Sequence, residues 1–317
     1  MSAYLIRRAW IAIVLMLIVS LLVFMMMRGL PGDPARIALG EAASAVEIEA
    51  YRVRMGLNLP LPVQYWNWIV GIVTRWDFGL SVLNARNVSA IISERLPRTL
   101  LIGIPSIMVG VFFGILVGVV MATRRGGWLD QLCMLVVNSF LGTPRFLIAI
   151  FGVLILGMQL GWIPLQGYTA PWDDFGKFLH KAFWPIMVNS LYVFSVVARY
   201  LRTNLLEVMN QDFIRTARAN GLSERRVIYG HAIKNALIPV ITIIGLQMPQ
   251  IVGGSVIVES IFNIPGIGQL VLSGILDRDY LVVQAAVLAI AAVTITSNLV
   301  VDVAYAVVDP RIRKSLK

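Results

Sequence analysis

Six apolar stretches, each long enough or nearly long enough to cross a bilayer, constrain this chain more than any other feature. They run over Ala9–Met27, Thr99–Ala122, Leu132–Met158, Pro185–Val197, Leu237–Ile257 and Tyr280–Val308. A spanning helix needs about 20 mostly apolar residues. In lipid, a segment must satisfy its own backbone polar groups, so each stretch is expected to be helical. The fourth is the shortest and carries Asn189 and Ser190; it is expected to continue through Tyr200 and Leu201. Composition agrees: 58% of the 317 residues are hydrophobic and 14% are charged, where a soluble domain has about 25% charged residues. The expected fold is an all-α integral membrane protein of about six transmembrane helices.

The first stretch follows Arg7 and Arg8, as a signal peptide would, but it exceeds the ~7–15 apolar residues of a signal core. Arg28-Gly29-Leu30-Pro31-Gly32-Asp33-Pro34 comes next in place of small residues for cleavage, so the segment reads as a retained span. Lys and Arg near span ends favour the cytoplasm. Arg124, Arg125, Arg199, Arg202, Arg215, Arg218, Arg225, Arg226, Lys234, Arg311, Arg313, Lys314 and Lys317 then place both termini inside. Arg52, Arg54, Arg86, Arg95 and Arg98 fall on the outside, mostly in one long loop, where the rule has less weight. The expected division is residues 1–28 as N-terminal tail and first span, 29–98 as an extracytoplasmic loop, and 99–317 as a five-helix core containing a cytoplasmic loop at 202–239. In the outer loop, Trp66, Trp68 and Trp76 suit a segment lying along the membrane interface.

The net charge of +10 does not imply nucleic acid. Its residues are spread over the inner segments as topology requires, and form no basic stripe with interleaved aromatics. Cys133 is the only cysteine, and His180 and His231 are far apart, so no metal-ligand spacing exists. No G-x-x-x-x-G-K-[ST] sequence occurs; Gly176-Lys177 lacks the upstream glycine and the following hydroxyl residue. HExxH and GxSxG are absent as well. No catalytic residue, cofactor site or metal site is expected. Gly110, Gly114 and Gly118 recur every fourth residue of the second span. That predicts a close helix approach, with intrachain packing favoured over a seam against a second subunit.

The most informative stretch is DFIRTARANGLSERRVIYGHAIKNALIP, from Asp212 to Pro239. It favours helix up to Asn220. Gly221 is placed to break the helix, and Ser223 to cap a second one with Glu224 in its first turn. The expected form is helix, sharp turn, helix on the cytoplasmic side. Ile214, Leu222, Val227 and Ile228 form an apolar stripe ringed by charges, which suits a groove on a soluble partner better than an unpartnered connector.

This segment resembles the coupling loop of ABC importer permeases, whose general form is Glu-Ala-Ala, three residues, Gly. Here those positions are Arg215-Thr216-Ala217 and Gly221. The first two depart from the general form and match the RTARA-x-G variant of the dipeptide/oligopeptide/nickel permease family. That variant continues to a His-Ala…Asn-Ala-x-x-Pro ending, present as His231 through Pro239. YLIRR with LPGDP, the LGLNLPLPVQYWNWIVGIVTRWDFGLS stretch, VESIFNIPGIGQL from Val258 to Leu270, DRDYLVVQAAV and the closing VVDPRIR resemble further segments of that family, in order along nearly the whole chain.

The resemblance implies a permease subunit in a bacterial inner membrane that forms half of a translocation pathway for short peptides or related small solutes. Its expected partners are a second homologous permease, two cytoplasmic ABC ATPases that carry ATP-Mg, and an extracytoplasmic solute-binding protein. Arg215, Thr216, Ala217, Arg218, Gly221, Leu222, Ser223, His231 and Asn235 would form the ATPase-coupling loop, with His231 and Asn235 hydrogen-bonding across it. Polar groups inside spans are costly and often line a pathway; Asn138, Arg145, Asn189, Gln247 and Gln250 are candidates. Arg145, just after Pro144, lies roughly 20 Å into the third span at about 1.5 Å per residue. It could meet an anionic substrate group, a partner-subunit carboxylate, or the interface. Glu259, Pro265 and Gly266 are expected to form an outer loop or gate, with Glu259 anchoring it. The rival is a secondary transporter, which would need embedded carboxylates for ion coupling; Asp302 is the main acidic residue in a span. A metal–chelate, glutathione or sugar cargo is the alternative to peptides.

Overall fold

A computed structural model describes residues 2–29, 33–40, 42–253 and 255–308. The basic tail from Arg311 to Lys317 and part of the LPGDP motif lie outside the described residues. No strand occurs among those described, apart from an isolated antiparallel bridge between Leu80 and Asn87.

Among the described residues, five helices are long and apolar enough to cross a membrane, and a bent pair counts as a sixth if it is one span. In chain order, α1 is Ser2–Gly29. The outer segment holds α2 (Pro34–Leu39), α3 (Ala45–Arg54) and α4 (Leu61–Arg75). The second crossing is α5 (Val88–Thr123). The bent pair is α6 (Trp128–Gly142) and α7 (Arg145–Gln159). After them come α8 (Phe175–Val208) and the short α9 (Asp212–Ala219). Next are α10 (Glu224–Gln247), α11 (Gln250–Gly253), α12 (Val256–Ile261) and α13 (Ile267–Leu276). The last crossing is α14 (Tyr280–Val308).

Three departures from the apolar pattern have physical causes. Helix α5 begins at Val88, ahead of its apolar stretch, because Asn87 caps it by accepting from the Ser89 N–H at 2.8 Å. Val88, Ile91 and Ile92 in this first part are buried. The stretch Leu132–Met158 is not one helix: it bends by 101° between Gly142 and Arg145. Thr143 is extended and Pro144, lacking an N–H, starts a new helix. The fifth stretch likewise breaks at Met248-Pro249, between α10 and α11.

The centre of the bundle is the α5–α8 pair. A Cβ on Gly110, Gly114 or Gly118 would press on α8 at 2.7–2.9 Å, against Ser190 O, Val197 Cβ and Ala198 O respectively. The glycine stripe is therefore an intrachain seam that lets two backbones approach closely. One apolar cluster extends from Phe78 and Val88 on the outer side, through Val193, Val197, Leu201 and Leu205 of α8, to Ile214, Ala217 and Val227 at the other end.

Helices α1 and α14 pack together. Arg8 near the start of α1 pairs with Asp302 near the end of α14 at 3.1 Å. The start of α1 and the end of α14 thus lie on one face, and Asp302 has a cation beside it. Alternate faces of α1 leave Ile6, Trp10, Leu22 and Met26 more than half exposed, a surface suited to lipid. On the other face, Phe24, Tyr65 and Trp68 form an aromatic cluster, and the Tyr65 hydroxyl lies 2.8 Å from Ser20 Oγ. Helix α4 of the outer segment therefore leans on α1 with Trp68 inward and Trp66 outward. In the same segment the Asp33 carboxyl faces competing effects. Burial pushes it up, but bonds from Arg52 at 2.6 Å and from the Ala35 N–H outweigh burial and hold it below its ordinary value.

Candidate functional site

Three groups of residues stand out: a hairpin packed on the end of α8, a cluster beside the middle of α8, and a lock at the opposite end.

The hairpin is α9, a turn at Gly221, and α10. Its turn is a Schellman motif. The Leu222 N–H donates to Ala217 O at 3.3 Å, and the Gly221 N–H to Arg218 O at 2.9 Å. Gly221 has φ +79°, where a side chain is strained, yet a Cβ there would meet nothing within 4 Å among the described residues. The backbone conformation requires the glycine; crowding does not. Arg218 Nε donates to Glu224 Oε1 at 2.6 Å across the turn. Ser223 sits at the N-cap with extended backbone, and its carbonyl accepts from the Val227 N–H at 3.0 Å. Its hydroxyl makes no capping bond, so the cap is supplied by backbone geometry alone.

Two expectations for this hairpin are corrected. Ile214 and Val227 are fully buried, and Ala217 nearly so, in the cluster that includes Leu201 and Leu205 of α8. Leu222 packs at its edge, and Ile228 is half-buried. The apolar stripe thus fastens the hairpin to its own chain, because the α8 end offers apolar side chains at the right height. The outward face carries Arg215, Thr216, Ser223 and His231, together with Phe213 and Tyr229, which are 40% and 59% exposed. Second, His231 and Asn235 do not bond across the loop. They lie on one helix, where Asn235 Nδ2 donates to the His231 carbonyl at 2.8 Å, as residues four apart do. Thr216 Oγ1 similarly donates to Asp212 O at 3.0 Å, and Arg215 reaches Asp212 at 3.5 Å.

Beside the hairpin, Arg202 of α8 donates through Nε and Nη2 to both oxygens of Asp130, each at 2.8 Å. Asp130 is 1% exposed and also accepts from the Gly126 N–H at 2.9 Å. This bidentate pair ties the α5–α6 turn to α8. Sequence reading missed it; an acidic residue in the first turn of an apolar helix was its available signal.

The cluster beside the middle of α8 joins only part of the expected pathway set. The Arg145 guanidinium lies 4.4 Å above the ring of Tyr192 on α8 and donates to Gln250 Oε1 at 3.2 Å. Asn189 and Gln247 are buried, and the Asn189 Oδ1 has no hydrogen-bond partner among the described residues. Asn138 is exposed on α6. Nothing in the sequence marked Tyr192; its place opposite two helix breaks is a tertiary feature.

At the far end Glu259 of α12 is fully buried. Its carboxylate accepts from Thr99 Oγ1 at 2.7 Å, Ser255 Oγ at 2.8 Å and the Gln269 N–H at 3.0 Å. Thr99 Oγ1 in turn accepts from the Ile267 N–H at 2.8 Å. A Cβ on Gly266 would collide with this carboxylate. Gly266 has φ −101°, so here space, not backbone, demands glycine. Arg98 Nη1 reaches the Pro265 carbonyl at 3.5 Å, and Arg95 Nη1 donates to Gln269 Oε1 at 3.3 Å. The lock thus binds the α12–α13 loop to the start of the apolar part of α5.

Comparison with known proteins gives concordant results. Residues 114–314 match the family described as "binding-protein-dependent transport system inner membrane component", and residues 1–103 match the N-terminal region of such membrane components. A putative peptide transport system permease protein of Brucella abortus (strain 2308) is 38% identical over 313 residues, covering 99% of both chains. The glutathione transport system permease protein GsiC of Escherichia coli (strain K12) is 39% identical over 313 residues, again covering 99% of both. Among solved structures, a chain of the MetNI methionine ABC transporter in an inward-facing conformation shares the fold. Its TM-score is 0.57 at 18% identity, covering 69% of this chain and 97% of that one.

Proposed function

Because the chain belongs to the family of binding-protein-dependent transport system inner membrane components, and is thus a multi-pass permease subunit of an ABC importer, we propose that it carries short peptides, with glutathione-like tripeptides among them. It does so as one half of a pathway completed by a second, homologous permease. ATP-Mg is bound and hydrolysed on two separate cytoplasmic ATPase subunits, and an extracytoplasmic binding protein delivers the cargo. The peptide class follows the names of the two relatives; both cargoes contain amide-linked residues with free carboxylates.

The observation that carries the coupling role is the two-faced hairpin. Its inner face, Ile214, Ala217 and Val227, is locked into the apolar cluster of the bundle. Its outer face leaves Phe213, Arg215, Thr216, Ser223 and Tyr229 exposed around a turn whose glycine has open space in front of it. A partner can approach that turn closely. Displacement of the hairpin then moves α8 directly, since packed side chains transmit rigid shifts. Arg218, Gly221, Leu222, His231 and Asn235 shape the hairpin and its continuation into α10.

The test is uptake into proteoliposomes holding the complex purified with its ATPases and second permease. ATP-dependent uptake from loaded binding protein is expected. Gly221→Val, which forces a β-branched residue into a left-handed conformation, should abolish uptake while the subunits still co-purify. Uptake driven by an ion gradient without ATP would overturn the reading in favour of a secondary transporter.

A further inference from the structure

The geometry points to Arg145 as the residue that receives the carboxylate of the cargo at the midpoint of the membrane. This inference rests on the importer reading above and adds to it a recognition chemistry inside the permease.

Depth comes first. Tyr192, which carries the Arg145 guanidinium on its ring face at 4.4 Å, stands at the middle of the 34-residue α8. Arg202, paired with Asp130, marks the inner charged end of α8 ten residues further on, about 15 Å at 1.5 Å per residue. The hydrocarbon core is about 30 Å thick. Arg145 therefore sits near mid-depth, far from headgroup phosphates, and a lipid headgroup is not its counterion.

Second, the charge is uncompensated among the described residues. Its contacts are a ring face and the neutral Gln250 amide oxygen at 3.2 Å. Among the described residues no carboxylate lies within ion-pair distance of it. Asp302 pairs with Arg8 and Asp130 with Arg202, so these two acidic groups are already engaged. A cation held at this depth faces a water-filled path or an anion.

Third, two broken spans converge here. Arg145 is the first residue of α7, after the 101° bend at Thr143-Pro144, and Gln250 is the first of α11, after the Met248-Pro249 break. Interrupted helices beside a polar cluster at the midplane are the usual construction of a transport site, since irregular backbone at that depth must line a cavity or be covered by protein. Tyr192 and Gln250 orient the planar guanidinium and leave it donors to spare, which suits the two oxygens of a carboxylate. A fixed carboxylate on the second permease would satisfy the same donors, but it would neutralise the one cation at a double helix break and leave that break without a use.

The experiment compares the reconstituted wild-type complex with Arg145→Gln and Arg145→Lys. Each is supplied with saturated binding protein carrying either an unmodified tripeptide or the same peptide with its C-terminus amidated. Wild type should take up the free acid faster than the amide. Arg145→Gln should lower uptake of the acid about tenfold to a hundredfold, the value of one charge-assisted bond pair, leave the amide unchanged, and retain ATP hydrolysis and subunit stoichiometry. Arg145→Lys should recover part of the preference. Equal uptake of acid and amide by wild type and by Arg145→Gln would overturn the inference and leave the importer reading standing. Loss of the second permease from Arg145→Gln on size exclusion would identify Arg145 as half of an intersubunit ion pair and overturn it too. ATP hydrolysis by wild type without uptake of either peptide would remove the peptide reading and the inference together.

Discussion

Two turns each set a glycine before an aliphatic residue, Gly221-Leu222 in the hairpin and Gly266-Ile267 in the lock, and they differ in physics. Gly221 has a left-handed backbone and empty space in front of it; Gly266 has an ordinary backbone and a carboxylate against it. The first turn is open toward a visitor. The second is closed by its own chain, with Glu259, Thr99, Ser255 and the Ile267 and Gln269 N–H groups bonded in one buried network. One end of the bundle is thus self-sufficient, and the other reserves its outward face.

This difference can be broken most sharply at Glu259. Glu259→Ala strips the partner from several buried donors at once. Leaving one unsatisfied costs about 1–3 kcal/mol, so the loss should be about 3 kcal/mol or more, read as a large drop in Tm of the complex in detergent. Gly266→Ala should cost about 1–3 kcal/mol by overpacking, again as a Tm drop with uptake falling only in step with folded protein. Gly221→Ala inverts the pattern. Its stability cost, about 1–2 kcal/mol from the left-handed conformation alone, should be the smaller of the two effects seen. ATP-dependent uptake per folded complex should fall by more than the Tm shift explains. If Gly221→Ala lowered Tm more than Gly266→Ala and spared uptake, the contrast between an open and a closed turn would be lost.

The sequence made the hairpin legible because its signals are local. A glycine past a helix end, an extended Ser223 and a helical pattern on either side each act within a few residues. Long apolar stretches announced the crossings for the same reason. What the sequence did not reveal depends on contacts far apart along the chain. Thr99 reaches Glu259 across 160 positions, and Asp130 reaches Arg202 across 72. The burial of Ile214 and Val227 could not be told from docking, because an amphipathic helix looks the same whether its apolar face meets its own bundle or another protein. The 101° bend was half visible: Pro144 stood in the apolar stretch, but prolines also lie within α5, α8 and α10, at Pro105, Pro185 and Pro239, without breaking them.

Ion pairs sharpen the comparison at smaller magnitude. Arg218–Glu224 crosses the open turn with side chains 37% and 60% exposed, a setting worth about 0.2–1 kcal/mol. A double-mutant cycle with Arg218→Ala and Glu224→Ala should find a coupling energy in that range by thermal unfolding. The same variants should disturb uptake more than stability, because they reshape the outward face of the hairpin, which we propose meets the ATPase. Coupling above about 2 kcal/mol would mean that the turn is locked as tightly as the Glu259 network, well beyond an exposed pair.

The smallest effect is expected in the outer segment, where Asp33 and Arg52 meet at 2.6 Å. The Arg52 and Ala35 donors hold the Asp33 carboxyl below its ordinary value against the opposing pull of burial. A carboxyl lowered by folding contributes stability above its unfolded pKa and loses it as pH falls through the folded one. Between pH 5 and pH 8 the link should therefore be constant, and Asp33→Asn should cost under about 1 kcal/mol, as for other partly exposed pairs. As pH drops well below the ordinary carboxylate range, wild type should converge on Asp33→Asn. Protease protection of the segment between α1 and α5 in intact vesicles, measured for both proteins at each pH, reads this locally. A difference that grew toward low pH would show that Asp33 is stabilised in its protonated form, and that the outer segment is held together by something other than the pairing of its own charges.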